Sequence, residues 1–375
     1  MKKVLIVITK GEIGGAQIFV ETLAKDLTIK GWGVTVAFGD GEYLAKTLSA
    51  SKIGVVKFPS LIRTNNPITN IKFIIELKKY LDSNDFDVVH FNSSNALLGV
   101  IGAKLSKKHP KTVFTFHGLS YLDPNHQSSP ITRLIYWSVF KLLLFFVDEK
   151  VFVSNTNREE AIRTNLIGGG HLIYNARSVN YLNKSSALSF LEEKIGSSLR
   201  KTVIIGSIGR FAYPKNFQFL IRSMSILANS FPSLRLIILG DGPQKKECEE
   251  IVREFSLENK IFIPGEIPDA AKYVKAFDIF VLPSFYEGLS MTVIEAISAG
   301  LPVLISQVGG NPEIVENNDS QLFNPVSGLN FRDKLRALIN NKMLLKKLSV
   351  ENLQISRKFS QENMVDEYEK IYNLK

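Results

Sequence analysis

Ser284-Phe285-Tyr286-Glu287-Gly288-Leu289-Ser290-Met291-Thr292-Val293-Ile294-Glu295 is the stretch that decides how this chain is read. Two carboxylates stand eight residues apart, split by Gly288 and by a predicted helix start at Ser290. The preceding run, Asp278-Ile279-Phe280-Val281-Leu282-Pro283, is short and apolar, as a strand buried on both faces of a parallel sheet should be. Strand, turn and helix follow in order, and open α/β sheets bind ligands beyond the carboxyl ends of their strands. Ser290 is the expected N-cap, and the peptide amides around Gly288 and Leu289 would face a bound anion. Glu295, one turn into the helix, would reach ribose hydroxyls but not a diphosphate, while Glu287 would face a sugar. That layout suits a sugar nucleotide.

A second feature lies upstream in Gly206-Ser207-Ile208-Gly209-Arg210-Phe211-Ala212-Tyr213-Pro214-Lys215-Asn216, again between a strand and a helix. Arg210 and Lys215 would project from one loop, where two fixed cations neutralise a diphosphate leaving group without a metal. Taken alone they read equally well as solvated loop cations. Thr115-Phe116-His117-Gly118 ends another strand, so His117 would donate to a sugar or shape the acceptor side; a histidine there also commonly serves structure. Gly14-Gly15 before a helix permits close approach of a phosphate or sugar. Asp85-Phe86-Asp87 looks like an Asp-x-Asp metal motif, but it precedes a strand and so lies at the wrong end of the sheet. His90, His109, His126 and His171 have no metal-ligand spacing, and neither a Walker sequence nor a Gly-x-Ser-x-Gly elbow occurs.

Apolar runs and helical patterns alternate along the chain, which argues for parallel sheets with right-handed crossovers. Strands are expected at 3–8, 34–38, 55–58, 88–92, 112–116 and 150–153, with a helix over 16–30 closed by Gly31. After a polar stretch and a linker at 195–201 the pattern restarts. Strands are expected at 202–207, 234–239, 260–263, 278–282 and 302–306, and helices at 217–229, 247–255, 271–276 and 291–298. Residues 360–372 carry Met364, Val365, Tyr368, Ile371 and Tyr372 at helical spacing, which predicts a helix returning to the first domain.

With 375 residues, 45% hydrophobic and 22% charged, the chain is that of a folded protein too long for one ordinary core, so two domains are expected. Its single cysteine, Cys248, excludes an intrachain disulfide and matches a reducing, cytoplasmic compartment. The apolar run after Met1-Lys2-Lys3 is too short for a signal peptide and reads as a first strand. No stretch reaches the roughly 20 apolar residues of a membrane span. The nearest, 131–147, is interrupted by Arg133 and Lys141; it reads either as an amphipathic helix packed on a sheet or as a helix lying in a membrane surface. The net charge of +10 is uneven: residues 1–180 hold 22 Lys and Arg against 14 Asp and Glu, and the remainder 24 against 22. A basic first half suggests an acidic partner, and with no nucleic-acid motif beside it the expected partner is anionic lipid rather than nucleic acid.

Together these residues resemble glycosyltransferase family 4, the "glycosyl transferases group 1". The resemblance runs through Gly14-Gly15-Ala16, His117-Gly118, Gly209-Arg210 with Lys215, Gly240-Asp241-Gly242-Pro243, Glu287-Gly288-Leu289 to Glu295, Gly309-Gly310-Asn311-Pro312-Glu313, and the closing segment 359–372. It implies an α/β, GT-B fold of two Rossmann-like domains facing across a cleft. Residues 1–190 with the returning helix 360–375 would form the acceptor side, and 191–359 the nucleotide-sugar side. The resemblance implies Glu287, His117, Arg210 and Lys215 as the catalytic set. Arg210 and Lys215 would hold the donor diphosphate, Glu295 the ribose, Glu287 the transferred sugar near its reacting carbon, and His117 that sugar from the opposite domain. Gly14, Gly15, Gly288, Leu289 and Ser290 would line the substrates, and Pro264-Gly265-Glu266 would border the base. Family members often have Phe-Gly where this chain has Gly288-Leu289, yet the spacing to Glu295 is kept.

The activity so implied is retaining transfer of a hexose-type sugar from a UDP- or GDP-linked donor, with neither cofactor nor metal. The acceptor would be a lipid-linked or cell-surface glycan precursor met at the inner face of a membrane. Two other readings share the fold: a sugar-nucleotide epimerase, and a non-catalytic subunit of a transferase pair.

Overall fold

The computed structural model describes residues 1–119 and 129–374, so His126 falls outside the described residues. The chain divides into two compact units, Met1–Ala176 with Gln361–Lys375, and Arg177–Ser360.

The first unit is built on seven parallel strands: β1 (Lys3–Val7), β2 (Gly33–Phe38), β3 (Gly54–Lys57), β4 (Val88–Phe91), β5 (Lys111–Phe116), β6 (Glu149–Phe152) and β7 (His171–Leu172). Their spatial order is β3-β2-β1-β4-β5-β6-β7, so the winding reverses between β1 and β4. The apolar runs that predicted β1 and β4, the central strands, are buried almost throughout, as strands covered by helices on both faces should be. Helix Gly15–Ile29 presents Phe19, Val20, Leu23, Ala24 and Leu27 inward. One core cluster joins Leu5, Val7, Val89, Phe91, Phe114, Phe116 and Phe152, with Phe116 and Phe152 stacked at 4.2 Å. Each fully buried phenylalanine contributes about 1.5–3 kcal/mol. Helix Gln361–Asn373 belongs to this unit, as its apolar spacing predicts, and buries Met364, Val365, Tyr368, Ile371 and Tyr372.

The second unit has six parallel strands: β8 (Val203–Ile208), β9 (Leu234–Leu239), β10 (Ile261–Gly265), β11 (Ile279–Leu282), β12 (Val303–Ser306) and β13 (Leu322–Phe323). The order β10-β9-β8-β11-β12-β13 reverses between β8 and β11. Gly206 marks how tightly this sheet is covered, since a Cβ there would lie 1.9 Å from the Phe277 ring.

Two segments and one domain boundary differ from the expectations above. Residues 184–195, read as a polar approach to a linker, form helix Lys184–Ile195, and the second unit begins at Arg177 rather than at 191. Asn183 caps this helix by accepting from the Ser186 amide at 2.9 Å, and Gly196 ends it at φ +65°. Its sparse apolar stripe of Ala187, Phe190 and Leu191 is hidden among polar residues; Phe190 stacks on Tyr273 at 4.1 Å. The segment expected as a helix at 271–276 is a 3₁₀ stretch, Ala270–Ala276. Helix Pro130–Phe145 packs on the core through Trp137, Phe140, Leu143 and Leu144, whereas Ile131, Leu134, Ile135, Leu142 and Phe145 are exposed. Among the described residues no helix is long and apolar enough to cross a membrane.

Candidate active site

In the second unit, the loops that follow β8 and β11 leave adjacent strands at the point where the winding reverses, the place where open α/β sheets bind ligands. They are fastened to each other. The Phe285 amide donates to the Pro214 carbonyl at 2.8 Å, and the Tyr213 and Phe285 rings stack at 5.1 Å. Lys215 Nζ lies 2.6 Å from Glu287 Oε1, and Ser284 Oγ donates to the same oxygen at 2.6 Å. The two side chains are only 23% and 12% exposed, so this ion pair is screened far less than a surface pair. Arg210 is exposed on the same loop as Lys215.

Glycines allow this close fit. Gly309 has φ +49°, and a Cβ there would stand 1.8 Å from the Glu287 carbonyl oxygen; its neighbour Gly310 donates to the Gly288 carbonyl at 2.9 Å. Gly240 has φ +147°, and a Cβ there would meet the Gly209 carbonyl at 2.0 Å. The Gly240 amide donates to the Gly265 carbonyl at 2.9 Å, which brings the 264–266 loop beside the turn after β9. Gly288, Leu289 and Ser290 are buried at the start of helix Met291–Ser298. Ser290 occupies the N-cap position without capping: its Oγ is 3.2 Å from Thr292 Oγ1 and makes no side-chain bond to the helix amides.

Glu295 lies in that helix with its side chain 3% exposed. Burial pushes its carboxyl pKa up, and the Arg177 guanidinium works against that shift. Arg177 Nη1 is 2.8 Å from Glu295 Oε1, and its Nη2 is 2.6 Å from Asp269 Oδ1. Neither Arg177 nor Asp269 was singled out by the sequence, because they stand far from Glu295 along the chain and resemble ordinary loop charges.

In the first unit the glycine turn after β1 leads into helix Gly15–Ile29, with Gly14 at the N-cap position and Gly15 exposed. Asn92 and Ser93 follow β4, and Ser93 Oγ accepts from the Thr9 amide at 2.9 Å, tying the two strand ends together at the reversal. His117 follows β5. Its Nε2 is 3.0 Å from Asn92 Oδ1, while Asn92 Nδ2 donates to the His90 carbonyl at 3.2 Å. The amide is therefore oriented with Oδ1 as acceptor, so His117 Nε2 carries the proton and Nδ1 keeps a lone pair. Nδ1 is buried with no hydrogen-bond partner among the described residues, and burial lowers the imidazole pKa to about 3. In this tautomer His117 offers an acceptor at Nδ1, where the sequence offered it as a donor to the sugar or as a shaper of the acceptor side. Asn92, which sets this tautomer, was missed; a polar residue at the end of an apolar strand was the available signal. Asp87 accepts from the Lys3 amide at 2.6 Å and Asp85 pairs with Lys108, both before β4, at the end of the sheet where the sequence placed them.

Two family models match consecutive parts of the chain: Glycosyltransferase Family 4 over residues 13–179, and Glycosyl transferases group 1 over residues 191–353. The chain belongs to glycosyltransferase family 4. Among its relatives is the UDP-Gal:alpha-D-GlcNAc-diphosphoundecaprenol alpha-1,3-galactosyltransferase of Escherichia coli, 27% identical over 265 residues, 69% of this chain and 67% of that protein. The O-antigen biosynthesis glycosyltransferase WbnH of Escherichia coli is 26% identical over 336 residues, 89% and 90% of the two chains. In fold, this family 4 glycosyltransferase is similar to Anabaena HepE, solved in complex with UDP-glucose, with a TM-score of 0.83, 20% identity and full coverage of both chains. Its two Rossmann-like α/β units are those of the GT-B architecture.

Proposed function

We propose that this glycosyltransferase moves a hexose, with retention at the anomeric carbon and without a metal, from a UDP- or GDP-linked donor to a lipid-linked glycan precursor. The observation that carries the reading is the clasp at the β8/β11 reversal, where one loop bearing Arg210 and Lys215 is held to a second loop bearing Glu287. The departing diphosphate needs cationic donors, and the reacting sugar needs a nearby carboxylate as its anomeric carbon gains oxocarbenium character. An ammonium has three donors, so Lys215 can keep Glu287 and still take a phosphate oxygen. The fork of Arg210 suits the same anion.

In the front-face route, the bond from the anomeric carbon to the diphosphate oxygen breaks while the acceptor hydroxyl adds on the same face. The acceptor's proton passes to the departing phosphate oxygen, which leaves as the nucleoside diphosphate. Glu287 steadies the sugar without bonding to it. Glu295 accepts from the ribose hydroxyls, and His117 Nδ1 accepts from a hydroxyl of the transferred sugar. Gly14 and Gly15 leave room for substrate, and Gly265 borders the base.

Support for the acceptor is of two kinds. The galactosyltransferase relative is named for a diphosphoundecaprenol-linked acceptor. Helix Pro130–Phe145 exposes a row of large apolar side chains in the more basic part of the chain, suited to an anionic membrane surface.

The test is incubation of the isolated chain with UDP- and GDP-hexoses, with and without membrane lipid extract and EDTA. Sugar transfer to lipid that survives EDTA is the expected result. Epimerised donor without transfer would make the protein an isomerase, and loss of activity with EDTA would overturn metal independence. A sugar trapped covalently on Glu287 would replace the front-face route by double displacement.

A further inference from the structure

The Arg177 fork spans two carboxylates from separate elements: Glu295 in helix Met291–Ser298 and Asp269 ahead of the 3₁₀ stretch Ala270–Ala276. Asp269 sits at φ +53° and holds Lys272 as well, at 2.8 Å. Four residues beyond Arg177, Tyr181 Oη donates to the Glu295 main-chain carbonyl at 2.7 Å. The 177–181 stretch therefore grips Glu295 by both side chain and backbone. A carboxylate buried as deeply as Glu295 stays charged only with a cation beside it. Structure alone does not require a charge here, because buried ion pairs can be replaced by apolar residues with little loss of stability. A group that must present a charged acceptor to a ligand does require one, and a planar fork anchored at its other end on Asp269 also fixes where that acceptor points.

From this geometry we infer that Arg177 is a positioning residue for the nucleotide: it holds Glu295 as the charged, aligned acceptor of the ribose hydroxyls and so makes the enzyme select ribonucleotide over deoxyribonucleotide donors. The inference rests on the donor reading given above and names what tunes that site. Arg177 touches no substrate; it acts through Glu295. A lysine in its place would keep the charge but could not bridge both carboxylates.

The experiment is calorimetric titration of the full chain with UDP and 2′-deoxy-UDP, and with GDP and 2′-deoxy-GDP, for the native protein, Arg177→Met and Arg177→Lys, each checked for folding by thermal melt. A hydroxyl bonded to a charged acceptor should favour the ribonucleotide by roughly 10- to 100-fold in the native protein. Arg177→Met should bring that preference close to one, mainly by weakening the ribonucleotide, and Arg177→Lys should keep part of it. A folded Arg177→Met protein with the native preference would overturn the inference. If that variant fails to fold, an undiminished preference in Arg177→Lys overturns it instead. A native protein that binds ribo- and deoxynucleotide equally defeats the inference while the donor reading stands. A native protein that binds neither nucleotide pair defeats both.

Discussion

The first unit ties down its closing helix with fully buried neutral groups, whereas the second gathers mostly half-buried ions beside the loops after β8 and β11. In the first, His90 Nδ1 bonds Tyr372 Oη at 2.7 Å, His90 Nε2 bonds Thr115 Oγ1 at 2.7 Å, and Thr115 Oγ1 bonds Tyr368 Oη at 3.0 Å. All four residues are buried, and burial holds His90 well below its ordinary pKa and Tyr372 well above its own, so the chain of bonds is neutral. It fastens the closing helix onto β4 and β5 and has no charge to offer a ligand. The second unit has a buried neutral pair of its own, Gln321 with Asn352, but around the loops and helix that follow β8 and β11 it holds ions, Lys215 with Glu287 and Arg177 with Glu295 and Asp269, of which Glu295 is fully buried and the others partly so. Neutral networks avoid the desolvation cost of charge and suit fastening. Charged ones bear that cost and suit a ligand whose own charge changes during reaction. The same sheet architecture therefore carries a neutral lock in one unit and a cluster of charges in the other.

Four measurements would break or sharpen this contrast. The largest effect is expected for Glu287→Gln, which should lower transfer by about 10²- to 10⁴-fold while nucleotide affinity from calorimetry stays close to native. Unchanged turnover would remove Glu287 from the chemistry. Arg210→Ala should cost about 10²–10³-fold in kcat and weaken nucleotide binding too; a fully active variant would show that this cation has no part in holding the diphosphate.

The third concerns acid. The described histidines, His90, His109, His117 and His171, lie in the first unit, and burial lowers the pKa of His90 and His117 below the ordinary 6.5. The unfolded chain then binds more protons below pH 6.5, so the stability these two residues lend is complete above that value and is lost as pH falls toward their folded values. Each histidine should remove about 1.4 kcal/mol per pH unit below 6.5. Both tryptophans, Trp32 and Trp137, are in this unit, so their fluorescence during denaturant unfolding at pH 7.5 and 5.5 reports on it. Equal stability at the two pH values would mean that the histidines are not buried neutral. The smallest effect is expected for Tyr372→Phe, which leaves His90 Nδ1 without its partner and should cost about 1–3 kcal/mol in the same unfolding assay, with kcat unchanged. A loss of turnover at full stability would assign the neutral relay a role beyond fastening.

The strands were legible because runs such as Val4–Ile8 and Asp278–Leu282 have only one way to hide so many adjacent apolar side chains. The closing helix was legible for the same kind of reason, its inward residues recurring with the helical period. Helix Lys184–Ile195 was missed because its inward face is a few small or widely spaced residues, although Asn183 and Gly196 were readable end signals. Ser290 had the right residue type at the right position, yet its hydroxyl turned to Thr292 instead of to the helix amides.

The sequence by itself determined the two parallel sheets, the placing of Arg210, Lys215 and Glu287 on loops at strand ends, and the spacing from Glu287 to Glu295, because hydrophobic periodicity and short-range turn chemistry act between near neighbours. Only the tertiary structure decided that Lys215 meets Glu287, that Asn92 turns His117 into an acceptor, that Tyr372 completes a bond to His90, and that Arg177 stands guard over Glu295. Those partners lie far apart along the chain. Their pairing depends on where whole strands and helices come to rest, and a buried hydrogen bond or ion pair forms only once that packing has excluded water.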